Sequence, residues 1–304
     1  MLRNRYHRLP DHQLPAMHRT TLFTLLIFVS ILPGVTVAQS NPSESAIDHR
    51  LSLTQSTDDN PFAIAAHKSN FLLPLTLTSN PIIEDGQAAE IKFQFSLMVP
   101  ILRGIFDTDA SVAFGYTNQS YWQAFNSKLS SPFTETNHEP ELFLVLPYAK
   151  KLVGFNQRGA IVGISHQSNG RTPPFSRSWN RIYVDFLFER RNTYFSFKTW
   201  YRIPEEEKED VLQAVGDDNP DIEDFMGSFE LTAFHKRGGH SYSAVIRHNL
   251  SSKQRGALQI DYDFPISNKL KLTAHLFTGY GESLINYNRY VHRIGIGFRL
   301  SNWL

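Results

Sequence analysis

Apolar residues at every second position run through most of this chain, and no other feature limits its fold so strongly. The pattern is clear in Ile91, Phe93, Phe95, Leu97 and Val99, in Ile182, Val184, Phe186 and Phe188, and in Phe195, Phe197, Thr199, Tyr201 and Ile203. It recurs in Leu258, Ile260, Tyr262 and Phe264, in Leu270, Leu272, Ala274 and Leu276, and in Ile294, Ile296, Phe298 and Leu300. Side chains of a β-strand alternate between two faces, so each segment reads as a strand with one apolar and one polar face. The segments fall near 70–78, 90–100, 111–125, 141–149, 158–167, 178–189, 193–204, 225–236, 240–249, 254–264, 269–279 and 290–301. That is about twelve strands of roughly ten residues, long enough to cross a bilayer at a tilt and even in number, as bacterial barrels require. Connections near 190–192, 237–239 and 265–268 are short, whereas those near 126–140, 168–177, 205–224 and 280–289 are longer or more polar. Short turns on one side and long loops on the other are the outer-membrane pattern.

Composition agrees with a wall that has lipid on one side and polar contents on the other. Aromatics make up 13% and charged residues only 19% of the chain, yet the mean hydropathy is −0.30. A soluble β-sandwich also alternates, but its strands average about five to six residues. Aromatic residues also collect near strand ends, at Tyr121-Trp122, Trp179, Trp200-Tyr201 and Tyr287, where an interfacial girdle is expected. The expected fold is therefore all-β: a twelve-stranded antiparallel transmembrane β-barrel of the outer-membrane type, occupying residues 70–304. A net charge of +1 argues against a nucleic-acid partner, and the lack of Cys excludes disulfides and thiolate chemistry.

The N-terminus reads as an export signal. Arg3, Arg5, Arg8 and Arg19 precede an apolar run, Leu22 to Leu32, and small residues follow up to Ala38. Residues 1–38 are expected to be a signal peptide cleaved after Ala38, with Met17 as an alternative start. An uncleaved anchor is the competing reading. Residues 39–69 are polar around Ser40–Asn60 and read as an N-terminal periplasmic segment.

Barrel building does not explain Ile164-Ser165-His166-Gln167-Ser168-Asn169-Gly170-Arg171, nor Ser176-Arg177-Ser178-Trp179-Asn180-Arg181. Val162 and Ile164 have lipid-facing parity, and His166 and Ser168 share it if the strand stays regular. Asn180 shares the parity of Ile182 and Val184 on the next strand. A Ser, a His and an amide on a lipid-facing wall are costly without a function. Ser is a weak nucleophile until a base such as His takes its proton, and an Asn carbonyl can hold that base in one tautomer. A site facing lipid points to a lipid ester as substrate. His-x-Ser by itself is a weak signal, since the chain has 12 His and many Ser. Asn118 likewise has the lipid-facing parity of Val112, Phe114 and Tyr116, and a polar amide there is costly unless paired, for instance across subunits. Glu205-Glu206-Glu207 reads as a solvated run of loop charge rather than a metal site.

The two motifs above, together with Ser130-Ser131-Pro132-Phe133, Glu135-Thr136-Asn137, Glu139-Pro140, Leu142-Phe143-Leu144, Asp217-Asp218-Asn219-Pro220-Asp221, Gly279-Tyr280-Gly281-Glu282-Ser283-Leu284-Ile285 and Tyr287-Asn288, resemble outer membrane phospholipase A. The resemblance covers roughly residue 60 to the C-terminus. It implies a twelve-stranded outer-membrane barrel that hydrolyses phospholipid acyl esters, with A1, A2 and lysophospholipase activity, as a Ca2+-bound homodimer. It implies Ser168 as nucleophile, His166 as general base and Asn180 as the residue orienting His166. For calcium it implies the Ser176 hydroxyl, the Arg171 main-chain carbonyl and Ser130 of the partner subunit, with a second position near Asp218. It also implies a dimer contact at Asn118, where the family usually has a Gln. The chain departs from outer-membrane barrels in ending Trp303-Leu304 rather than on an aromatic residue, which bears on assembly rather than catalysis. A non-enzymatic barrel, either a pore or a degenerate relative, is the main alternative, and a soluble secreted β protein is a third.

Overall fold

The computed structural model describes residues 45–54 and 64–301, apart from 84, 106, 153, 211, 251–254 and 268. The expected signal peptide, the Met17 start and the Trp303-Leu304 terminus lie outside the described residues. Twelve long strands close into a ring. They are β2 (Asn70–Thr78), β3 (Ala89–Ile105), β4 (Ala110–Trp122), β5 (Phe133–Leu152), β6 (Phe155–Ser168), β7 (Ser178–Arg190), β8 (Thr193–Ile203), β9 (Phe229–Arg237), β10 (His240–His248), β11 (Gly256–Pro265), β12 (Lys271–Gly279) and β13 (Val291–Ser301). Each pairs antiparallel with its chain neighbours, and β13 closes on β2 through pairs such as Ile294↔Leu77. A two-residue strand, β1 (Ala65–Ala66), continues the β2 edge along β3 at Leu97 and Met98. Closure leaves no long strand with an unpaired edge in hydrocarbon.

All twelve expected strands are present, and one boundary differs by eight residues. β5 begins at Phe133, not near 141. Its first half alternates buried Glu135, Asn137 and Glu139 with half-buried Thr136, His138 and Pro140. The period is still two, but neither face is apolar, so hydropathy hides the strand. Residues 222–226, partly assigned to a strand by the alternation, form a short helix, α2 (Ile222–Met226).

Outside the ring, Phe95, Phe114, Leu142, Ile164, Ile182 and Ile294 are exposed. Inside, Lys92, Glu90, Arg293 and Glu282 are buried and joined: Arg293 reaches Glu90 at 2.8 Å and Glu282 at 2.6 Å, and Lys92 reaches Glu282 at 3.1 Å. Only two of the six aromatic residues expected in the girdle face outward. Trp122 stacks on Phe133 at 5.4 Å and Tyr201 is exposed, but Tyr121, Trp179, Trp200 and Tyr287 are buried inside. Neighbouring residues on a strand point opposite ways, so Tyr121-Trp122 and Trp200-Tyr201 each send one ring inward.

Both ends of the lumen are filled. Near the short turns, helix α1 (Ala46–Ser52), capped by Ser45, buries Ile47 and Leu51 in one cluster with Ile161, Tyr183 and Leu187. Its Arg50 donates to the His67 carbonyl at 2.6 Å. His67 in turn bonds Glu141 at 2.8 Å, and Lys68 bonds Glu139 and Glu141, each at 2.7 Å. At the loop end, Phe225 of α2 packs on Tyr280 and Tyr287. Between these plugs lie cavities of about 210 and 230 Å³, the first lined mainly by polar surface.

Candidate active site

β6 and β7 meet at the loop end of the barrel, and their ladder puts His166 directly opposite Asn180. Opposed residues on one face have Cβ atoms about 4.5–5.5 Å apart. His166 Nδ1 lies 2.8 Å from Asn180 Oδ1, and Asn180 Nδ2 donates to Glu205 Oε1 at 3.0 Å. Ser168 follows two residues on, so it shares the outer face with His166 and with exposed Ile164. It pairs with Ser178 on one side and His138 on the other. Among the described residues the Ser168 hydroxyl makes no hydrogen bond, as is common before substrate draws nucleophile and base together.

Immediately after Ser168 the chain turns sharply. Gly170 takes φ +62°, a conformation that strains any side chain with a Cβ. Buried Asn169 ties the loop together. Its side chain accepts from the Arg177 N–H at 3.0 Å and the Arg171 N–H at 3.3 Å, and donates to the Phe175 carbonyl at 3.0 Å. Its own N–H donates to the Arg177 carbonyl at 3.0 Å.

The oxygens expected around calcium lie on this loop and its neighbours. The Ser176 hydroxyl donates to Asp218 Oδ2 at 2.5 Å, while Lys208 pairs with the other carboxylate oxygen of Asp218. Among the described residues the Arg171 carbonyl accepts no hydrogen bond. Ser130, at φ +58° after the 3₁₀ turn Ser127–Leu129, is exposed on the β4–β5 loop. No contact joins it to Ser176. Hydroxyl and carbonyl oxygens suit a hard cation such as Ca2+. No cluster of three or more His, Cys, Asp or Glu able to hold a metal occurs among the described residues. Asn118 is half-buried; it accepts from Ser120 Oγ at 3.1 Å and lies 3.5 Å from His138 Nδ1.

Residues 47–300 match the sequence profile of the family described as Phospholipase A1. The chain belongs to the phospholipase A1 family. The Phospholipase A1 of Salmonella typhimurium is 36% identical over 253 residues, covering 80% of this chain and 83% of the relative. That of Escherichia coli K12 is 35% identical over 252 residues, with the same shares covered. Among solved structures, outer membrane phospholipase A from E. coli matches with a TM-score of 0.76 at 35% identity, over 84% of this chain and 98% of that one. An active-site mutant of the E. coli protein, with an asparagine replaced by alanine, matches equally well at 34% identity. The Salmonella typhi outer membrane phospholipase dimer with bound calcium matches with a TM-score of 0.75 at 34% identity, over 83% and 97% of the two chains. This barrel is a bacterial outer-membrane protein and a phospholipase.

The motifs that seemed scattered along this phospholipase sequence meet behind the His166–Asn180 pair. Asn219 accepts from the Ser178 N–H at 3.0 Å, which fixes the start of β7. Asp217 takes both bonds from Arg202, at 2.6 and 2.7 Å. Glu135 accepts from Asn137 at 2.7 Å and from the Ile285 N–H at 3.1 Å, and Asn137 accepts from the Leu284 N–H at 3.1 Å. Tyr287 donates to Asp221. Burial, reinforced by that carboxylate, holds its phenol well above the usual range, so it stays a donor.

Two residues at the phospholipase site were missed by sequence reasoning. Glu205, half-buried against Asn180, is not a solvated loop charge. His138 flanks Ser168 from β5, with its Nδ1 2.6 Å from the Tyr116 hydroxyl. Register could have found both: Ile203 pairs with Asn180, so Glu205 stands two residues further on the same face, and His138 pairs with Ser168.

Proposed function

We propose that this phospholipase hydrolyses acyl esters of phospholipids lying against its outer wall, with Ser168 as nucleophile, His166 as general base and Asn180 holding His166. The observation that supports this most is the 2.8 Å contact between His166 Nδ1 and Asn180 Oδ1 on the outer face, beside exposed Ile164 and Ile182. The Asn180 carbonyl accepts the Nδ1 hydrogen and leaves the Nε2 lone pair for the Ser168 proton. Ser168 Oγ attacks the ester carbonyl as His166 takes its proton, forming a tetrahedral oxyanion. Collapse breaks the ester C–O bond, and His166 returns the proton to the departing lysophospholipid alcohol. Water, deprotonated by His166, then attacks the acyl-Ser168 carbonyl and releases the fatty acid. The Gly170 N–H, unlike that of Asn169, has no acceptor among the described residues and is assigned as the oxyanion donor. The resemblance to outer membrane phospholipase A extends this reading to both acyl positions and to lysophospholipids.

Calcium binding is assigned to the Ser176 hydroxyl, the Arg171 carbonyl and Ser130 of the partner subunit, so the active form is a homodimer. An ion held by these oxygens would supply positive charge to stabilise the developing oxyanion. Asp218, bonded to the Ser176 hydroxyl, would be the carboxylate for a second ion, in place of its present partner Lys208. The bound calcium named for the S. typhi relative's dimer supports this reading. Ser168→Ala is expected to lose hydrolysis of phosphatidylcholine in mixed micelles while still refolding as a barrel, and wild type in excess EDTA is expected to fall to background. Turnover by the folded Ser168→Ala protein would overturn the assignment of the nucleophile, and full turnover in EDTA would remove calcium from it.

A further inference from the structure

We infer that Glu205 is a positioning residue for catalysis: it fixes the Asn180 amide so that its oxygen, not its nitrogen, faces His166. The inference rests on the Ser168–His166–Asn180 reading and deepens it. An amide alone is ambiguous, because rotating its end group by half a turn exchanges an acceptor for a donor at nearly the same place. With Nδ2 toward His166, the amide would demand an acceptor at Nδ1, put the proton on Nε2 and leave Ser168 without a base. An ionised carboxylate only accepts hydrogen bonds. Glu205 Oε1, 3.0 Å from Asn180 Nδ2, therefore admits a single amide orientation, and that orientation places Oδ1 2.8 Å from His166 Nδ1.

The position of Glu205 supports a role beyond solvation. Tyr201, Ile203 and Glu205 share one parity, and Tyr201 and Ile203 are 64% and 37% exposed on the outer wall. A carboxylate continuing an apolar lipid-facing row is costly unless it is paired. Glu206, one residue on, is exposed, whereas Glu205 is half-buried. The β7–β8 register, with Ile203 opposite Asn180, carries Glu205 to the amide without any loop rearrangement.

The test is kinetic, on the refolded full-length chain with calcium and phosphatidylcholine in mixed micelles, with barrel folding checked by gel mobility. Glu205→Ala is expected to lower kcat about tenfold, the low end of what outer partners of oriented groups supply, with KM within about twofold. Glu205→Gln, whose amide can donate as well as accept and so no longer admits a single Asn180 orientation, is expected to recover only part of the loss; full recovery would show that the one-sided acceptor is not what matters. In an Asn180→Ala background there is no amide left to orient, so adding Glu205→Ala is expected to change the rate less than about twofold. A Glu205→Ala enzyme at wild-type kcat, or a tenfold loss that persists in the Asn180→Ala background, overturns the inference. An Asn180→Ala enzyme at wild-type rate would instead sink the triad reading on which it rests, so the two failures are distinct.

Discussion

His166, Asn180 and Asn169 each have their orientation set by hydrogen-bonded neighbours. Asn169 is the clearest case. It is buried, and its amide bonds three backbone groups of the loop that carries Arg171 and Ser176. Asn169→Ala leaves those groups unsatisfied, at about 1–3 kcal/mol each where they are buried. The expected result is a folded barrel whose half-activating calcium concentration rises at least about fivefold in a calcium titration of hydrolysis; an unchanged midpoint would separate the loop from calcium binding. The outward placement of His166, Ser168 and Asn180 was legible in the sequence from parity, while their roles rested on the resemblance to outer membrane phospholipase A. Glu205 and His138 were not, because their importance comes from cross-strand register, which cannot be read before the pairing partners are known.

At the scale of the strand, alternation located β2 to β13 wherever one face is apolar, and failed where both faces are polar. The first half of β5 is such a place. Glu135, Asn137 and Glu139 point inward to bond the loop after β12 and Arg181, while Thr136 and His138 occupy the outer face. The aromatic girdle was misjudged for a related reason, since counting rings near strand ends ignores which face each one takes. The outer face of β4 and β5, with Tyr116, Asn118 and His138 above Phe114 and Leu142, is the polar stripe best suited to a second copy. Interhelical hydrogen bonds measured in membranes average about 0.6 kcal/mol, so Asn118→Leu is expected to weaken calcium-dependent dimerisation by roughly threefold. Sedimentation in detergent would detect it, and tighter association would show that Asn118 does not hold the dimer.

Across the molecule, the lumen is a braced interior and not a conduit. Lys92, Glu90, Glu282 and Arg293 are buried as one network. Removing one partner of a buried pair leaves an uncompensated charge and costs about 3–5 kcal/mol. Glu282→Ala, which takes from Lys92 its carboxylate partner and leaves Arg293 with Glu90 alone, is expected to lose that much in urea unfolding from detergent; a loss below about 1 kcal/mol would mean that water already screens the network. With α1 at one end and α2 at the other, the barrel is expected to give no steady conductance in planar bilayers. Open channels would favour the pore reading that the sequence left standing. A nucleophile mounted on the side of a cylinder meets its substrate by lateral diffusion within a leaflet, without extracting a lipid into a pocket. The concentration that governs its rate is then the mole fraction of hydrolysable lipid in that leaflet, and diluting the membrane with inert lipid, at constant total lipid, slows the enzyme as competition would.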